Sequence, residues 1–111
     1  MAEAYKVLGQ VAPAAVTLTT LYTVPALTSS IVSSIVICNR AVTGASPTFR
    51  LSIAIGGAAD AVEQYLYREV GLANSSTFTA VLGLTLAAGD VVRVQTSSAN
   101  FSFNLFGTEI T

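Results

Sequence analysis

Leu84-Thr85-Leu86-Ala87-Ala88-Gly89-Asp90-Val91-Val92-Arg93-Val94 and, seven residues on, Phe101-Ser102-Phe103-Asn104-Leu105-Phe106-Gly107 decide the fold class. In the second stretch Phe101, Phe103 and Leu105 fall on one face and Ser102 and Asn104 on the other, the period of two of a β-strand. Phe106 points the other way, an apolar side chain on the polar face. The first stretch is two strand segments around Ala88-Gly89-Asp90. Asp90 follows Gly89 in a tight turn, where Asp bonds its own local backbone. This turn is expected to be the hinge of a hairpin.

The same period recurs upstream. Thr77 to Leu86 alternates, with Phe78, Ala80, Leu82, Leu84 and Leu86 inward and Thr77, Thr79 and Thr85 outward; Gly83 permits a bend or a bulge. Phe49, Leu51, Ile53 and Ile55 alternate with Thr48, Arg50 and Ser52, closed by Gly56-Gly57. Ser30 to Asn39 is apolar on both faces, with Ile31, Ile35 and Ile37 on one and Val32, Val36 and Cys38 on the other. A strand of this kind is covered on both sides. Thr17 to Val24 is rich in strand-favouring residues and ends at Pro25. Ala4 to Val11 reads as a first strand or an N-terminal arm, with Tyr5, Val7, Gly9 and Val11 opposite Lys6 and Gln10. Ala61 to Val70 fits a helix by Val62, Leu66 and Val70, and a strand by Glu63, Tyr65, Tyr67 and Glu69. Its tyrosines and its β-rich surroundings decide for the strand.

About eight strands and no convincing helix define an all-β chain, a sandwich or barrel of antiparallel strands, and a single antiparallel β-sandwich over residues 1–111 is expected. A jelly-roll-like order is expected, with an immunoglobulin-like sandwich as the alternative. The latter lacks its Cys…Trp…Cys hallmark, since the chain has one Cys and no Trp. At 111 residues the chain is long enough for one core.

Composition narrows the function. Hydrophobic residues make up 52% and charged residues 10% of the chain, with a net charge of −1. That charge density is well under the usual quarter, so much of the surface is expected to be Ser, Thr, Ala and Asn or to be covered by a partner. The basic residues Lys6, Arg40, Arg50, Arg68 and Arg93 are scattered, which speaks against nucleic acid. No run approaches the ~20 apolar residues of a spanning helix, and no secretory leader is visible, so no membrane partner is expected. Without that route the Asn-x-Ser triplets at Asn74 and Asn100 carry no weight as glycosylation sites.

The chain contains no histidine. That removes the commonest general base and metal ligand, and with it Ser-His-Asp and Cys-His nucleophile arrangements. Cys38 alone cannot hold a structural zinc ion and reads as a small buried hydrophobe. Glu63 and Glu69 would sit about 20 Å apart along one strand, too far for a glycosidase pair. Gly56-Gly57 lacks the spacing and following Lys of a phosphate loop. No catalytic, cofactor-binding or metal-ligating residue is assigned. The residues expected to meet a partner are Tyr5, Lys6 and Val7 in the first segment, Tyr65 and Tyr67, and Phe106.

Tyr5-Lys6-Val7-Leu8-Gly9-Gln10, Leu21-Tyr22-Thr23-Val24-Pro25, Val36-Ile37-Cys38-Asn39-Arg40, Leu84-Thr85-Leu86-Ala87-Ala88-Gly89-Asp90 and Phe101-Ser102-Phe103-Asn104-Leu105-Phe106-Gly107 resemble, in this order, a group of small bacteriophage virion proteins, especially those of tailed phages of cyanobacteria and other aquatic bacteria. The resemblance implies a structural part of the particle on the phage head. It implies a capsid decoration, or cement, protein that clamps the major capsid protein lattice, commonly as a homotrimer. Met1–Gln10 would then reach out to augment a neighbour's sheet. The alternative it leaves open is a tail or tail-fibre component binding host-surface glycan through the loops Arg40–Pro47 and Gly71–Ser76 with Tyr65 and Tyr67.

Overall fold

Eight antiparallel strands carry most of the chain: β1 (Glu3–Val11), β2 (Thr19–Thr23), β3 (Ser29–Asn39), β4 (Thr48–Ala54), β5 (Tyr65–Gly71), β6 (Thr77–Leu86), β7 (Val91–Thr96) and β8 (Phe101–Ile110). The structure is a computed structural model and describes residues 2–44 and 46–111. Met1 of the expected arm and Ala45 of the expected 40–47 loop lie outside the described residues. Short 3₁₀ turns at Ile55–Gly57 and Val62–Gln64 interrupt the link between β4 and β5.

The strands form two four-stranded sheets, ordered β1-β8-β3-β6 and β2-β7-β4-β5. The chain changes sheet at every connection except β4–β5, and the result is the jelly-roll-like sandwich expected from the strand count. The crossings rest on residues with left-handed backbone, among them Val16 (φ 53°), Leu27 (φ 59°), Ser75 (φ 57°) and Gly89 (φ 87°).

Two readings of the closing strands change. β6 and β7 lie in different sheets, so Ala88-Gly89-Asp90 is an arch between sheets and not a hairpin hinge. β7 and β8 likewise face each other across the core. Both strands present apolar inner faces, and stacking those faces buries more than pairing their edges. The first segment is a paired strand: Ala2 N donates to Thr111 O and Thr111 N to Ala2 O, each at 2.9 Å, so the described residues from Ala2 onward are zipped to the end of β8.

Phe49, Leu51, Val92 and Val94 from the second sheet meet Val32, Ile35, Ile37, Phe101, Phe103 and Leu105 from the first, all at most 1% exposed. Phe49 sits at the centre of an aromatic cluster, 6.2 Å from Phe101, 6.4 Å from Phe103 and 5.3 Å from Phe78 between ring centroids. Tilted and edge-on contacts of this kind add to simple area burial.

Bulges reset the phase of several strands. Across the first sheet the register shifts between Val7 and Gly9 in β1 and between Val32 and Ser34 in β3, at one level beside Phe106 and Gly107 of β8. The β3 bulge overturns the expected grouping of Ile31 with Ile35 and Ile37. Val32 enters the core instead, and Ile31 turns outward, 41% exposed. Ile55, expected as the last inward residue of β4, lies in the 3₁₀ turn and is exposed. Cys38 is half-buried on the outer face, not a core residue.

Candidate interaction surface

The outer face of the first sheet is almost free of charge. From one edge to the other, its rows read Tyr5, Thr108, Ile31, Thr85; then Val7, Phe106, Ser34, Val81; then Gln10, Asn104, Val36, Thr79; then Ser102, Cys38, Thr77, as the strand registers dictate. Glu3, opposite Ile110 beyond the Tyr5 row, is the one charged residue of this face among the described residues. The exposed apolar members are Tyr5 (79%), Val7 (45%) and Val81 (86%) together with Ile31.

Three of the expected contact residues come together here. Val7 and Phe106 are direct cross-strand partners, and Tyr5 lies two residues along on the same face. Lys6, between them in sequence, points the opposite way. Its Nζ lies 2.9 Å from Glu109 Oε1, at the inner margin of the sandwich. Glu109 Oε2 accepts from Tyr22 Oη of β2 at 2.6 Å, and Ser30 Oγ lies 2.7 Å from the same phenol oxygen. The Tyr22 hydroxyl, then Lys6, hold the Glu109 carboxyl below its ordinary range. Burial, then the adjacent carboxylate, pushes Tyr22 up from 10.0 to about 12. Lys6 therefore pairs, with its side chain 47% exposed, across β1 and β8 to the carboxylate that Tyr22 ties to the second sheet.

Tyr65 and Tyr67 do not share a face. Tyr67 pairs with Leu51 and packs its ring against Phe49 and Phe78, at 6.2 and 5.4 Å, as part of the core margin. Tyr65 pairs with Ser52 and turns outward, its ring 6.0 Å from the Arg50 guanidinium and 5.1 Å from that of Arg68, its hydroxyl bonded to Asp60 at 2.9 Å. Register shifts on both sides of Leu51 produce the split. Charge gathers on this second sheet. Arg50 is ion-paired with Glu69, which holds the Glu69 carboxyl below its ordinary range. Arg93 donates to Ala58 O at 2.7 Å and Gly57 O at 3.1 Å, pinning the β4–β5 link across the sheet's outer side.

The two loops of the glycan reading do meet. Ser75 N donates to Ala41 O at 2.9 Å, Asn74 Nδ2 to Gly44 O at 3.0 Å, and buried Asn39 Nδ2 to Leu72 O at 2.9 Å. Tyr65 lies at the other end of β5, about 20 Å from Gly71 at the strand rise of ~3.3 Å per residue, so it is not part of that loop surface. No cluster of three or more metal-ligating side chains exists among the described residues.

What the residue-by-residue reading missed is the continuity of the uncharged face. Its signal was present, in that no Lys, Arg, Asp or Glu falls between Thr77 and Leu86, Ser29 and Asn39, or Phe101 and Thr108.

No protein-family model matches the chain, and no curated protein does. Among solved structures it is similar to the crystal structure of a pentameric capsid protein isolated from metagenomic phage sequences, at 15% identity, 96% coverage of this chain and a TM-score of 0.31. The chain spans 62% of that protein's length. A superposition this loose carries no argument about function.

Proposed function

We propose that this protein is a non-enzymatic structural component of a phage particle, a capsid decoration protein that binds the major capsid protein lattice on the head surface and stabilises it. The observation that carries the reading is the uncharged outer face of the first sheet, where Tyr5, Val7 and Phe106 stand together. A face whose one charge lies at its margin is cheaper to desolvate than a charged one, and depletion of charge is what marks the centre of a protein–protein contact. Many copies on one shell gain by multivalency, so each contact can be weak alone. The jelly-roll-like order agrees with the reading, since such sandwiches recur in capsid proteins, but they recur in lectin domains as well, so fold alone does not choose. The sequence resemblance to small virion proteins points the same way.

The test is a binding experiment with purified heads lacking this protein. Added protein is expected to sediment with the heads and to show as density on the shell in a reconstruction. Val7→Lys, a substitution on an exposed side chain, is expected to abolish binding while leaving the fold intact. Density confined to the tail would overturn the proposal. The joined loops 40–47 and 71–76 favour one second reading, a tail component that contacts host glycan, for which a glycan array gives the discriminating signal.

A further inference from the structure

A sandwich of two open sheets has four edge strands, here β1, β6, β2 and β5. An edge presents unpaired backbone N–H and C=O groups, and monomeric proteins blunt it with charges, bulges, proline or shortness. Three of these edges carry such devices. β1 has Glu3, Lys6 and a bulge after Val7. β2 is five residues long with a register shift after Thr20. β5 has Arg68 and Glu69, the latter at φ 56°, and two register shifts.

β6 differs. It is ten residues long, contains no charged residue and no proline, and its one irregularity lies toward its C-terminal end, where Gly83 takes φ 61°. Thr77 to Val81 is an uncharged edge in unbroken register with β3, the shift falling over Leu82 and Gly83, and no described strand lies beside it on the side away from β3. Its inward side chains are also incompletely covered. Phe78, Ala80, Leu82 and Leu84 pack against the core but remain half-exposed, whereas Phe103 and Leu105 of β8 and Ile35 and Ile37 of β3 are fully buried.

The segment is complementary to itself. Antiparallel pairing of two copies centred on Ala80 sets Thr79 opposite Val81 on the outer face and Phe78 opposite Leu82 on the inner face. Both are pairings that stabilise sheets, and neither brings like charges together. We infer that β6 pairs with β6 of a second copy of this chain across a two-fold axis, joining the two first sheets into one continuous eight-stranded sheet. The contact is isologous, the commonest form of soluble homo-oligomer. It is a two-fold contact in place of the threefold one that the resemblance implies. It extends the uncharged outer face across both copies, and it does not rest on the particle reading.

The experiment is the native mass of the purified full chain by light scattering, with three variants. The wild-type protein is expected to be a dimer. Thr79→Lys/Val81→Lys, altering two exposed side chains, is expected to be a monomer with an unchanged far-UV dichroism spectrum and unfolding midpoint. Thr79→Glu/Val81→Glu is expected to be a monomer as well, and mixing the two is expected to restore a dimer, since residue 79 of one copy faces residue 81 of the other. Val7→Lys, on the opposite edge of the same sheet, is expected to remain dimeric. A wild-type monomer or trimer, a Lys/Lys variant that stays dimeric, folded variants that fail to re-pair, or a Val7→Lys monomer would each overturn the inference. Head binding is read in a separate experiment, so either proposal can fail alone.

Discussion

Tyr22 of β2 donates its phenolic hydrogen to Glu109 of β8 at 2.6 Å, tying the second sheet to the first where the sandwich core gives out. Hydrogen bonds to a charged acceptor with limited access to water are the strong ones. Tyr22→Phe keeps the ring and removes the bond, and is expected to cost about 1.5–3 kcal/mol of stability. Urea denaturation at neutral pH measures it.

The same pair makes stability depend on pH at both extremes. The folded Glu109 carboxyl titrates below its ordinary 4.5. Its contribution is present above that value and is lost as pH falls through the lowered folded value. Tyr22 is raised from 10.0 to about 12, so its contribution is complete below 10 and is lost as pH rises toward 12. A pH series of unfolding midpoints is expected to show a loss between about 10 and 12 in the wild type that is smaller in Tyr22→Phe. Equal losses in both proteins would remove Tyr22 as the cause.

Asp90 holds the arch between β6 and β7. Its Oδ2 accepts from Ala87 N and its Oδ1 from Gly56 N, each at 2.9 Å, so one carboxylate fixes its own turn and anchors the end of β4. Asp90→Ala leaves both amides without that partner, and a loss of about 2–3 kcal/mol is expected. Hydrogen exchange is expected to quicken at Gly56 and Ala87 before it does in the core strands.

Gly107 and Gly9 lie where backbones cross closely. A Cβ at Gly107 would collide with the Ile31 carbonyl oxygen and meet Leu8 Cδ1 at 3.0 Å, and one at Gly9 would collide with the Leu21 carbonyl. Backbone cannot step aside as a flexible side chain can. Each Gly→Ala change is expected to cost about 1–3 kcal/mol or more. Gly71→Ala, which meets nothing within 4 Å, is the control and is expected to fold normally.

Leu27 offers the opposite sign. It sits at φ 59° with its side chain 93% exposed, so it bears the left-handed backbone cost with little packing in return. Relief of about 1–2 kcal/mol, less the extra chain entropy of glycine, predicts that Leu27→Gly raises stability by about 0.5–1 kcal/mol. A thermal melt reads the change directly.

Of the candidate surface, Phe106 was legible as an apolar residue on the polar face of the last strand, and Tyr5 and Val7 as members of the first segment. Their meeting was not legible, because it depends on which strand lies beside β8. Tyr65 and Tyr67 show the limit of spacing. Two residues apart predicts one face, yet the register shifts around Leu51 put one ring in the core and the other beside two arginines. Lys6 shows another limit, since an unpaired surface lysine and one ion-paired to the neighbouring strand look the same until Glu109 is brought alongside.

By itself the chain determined its class of fold. A period of two written into segment after segment, with Gly, Pro and Asp between them, leaves an antiparallel sandwich or barrel as the means of burying the alternate faces. Tertiary structure decided what local pattern cannot encode: which strands share a sheet, where bulges reset the inward phase, and that Gly89-Asp90 crosses between sheets. Register is a property of two strands at once. Strands carrying the same alternation can pair edge to edge or stack face to face, and the choice between them is made by the packing of the whole core.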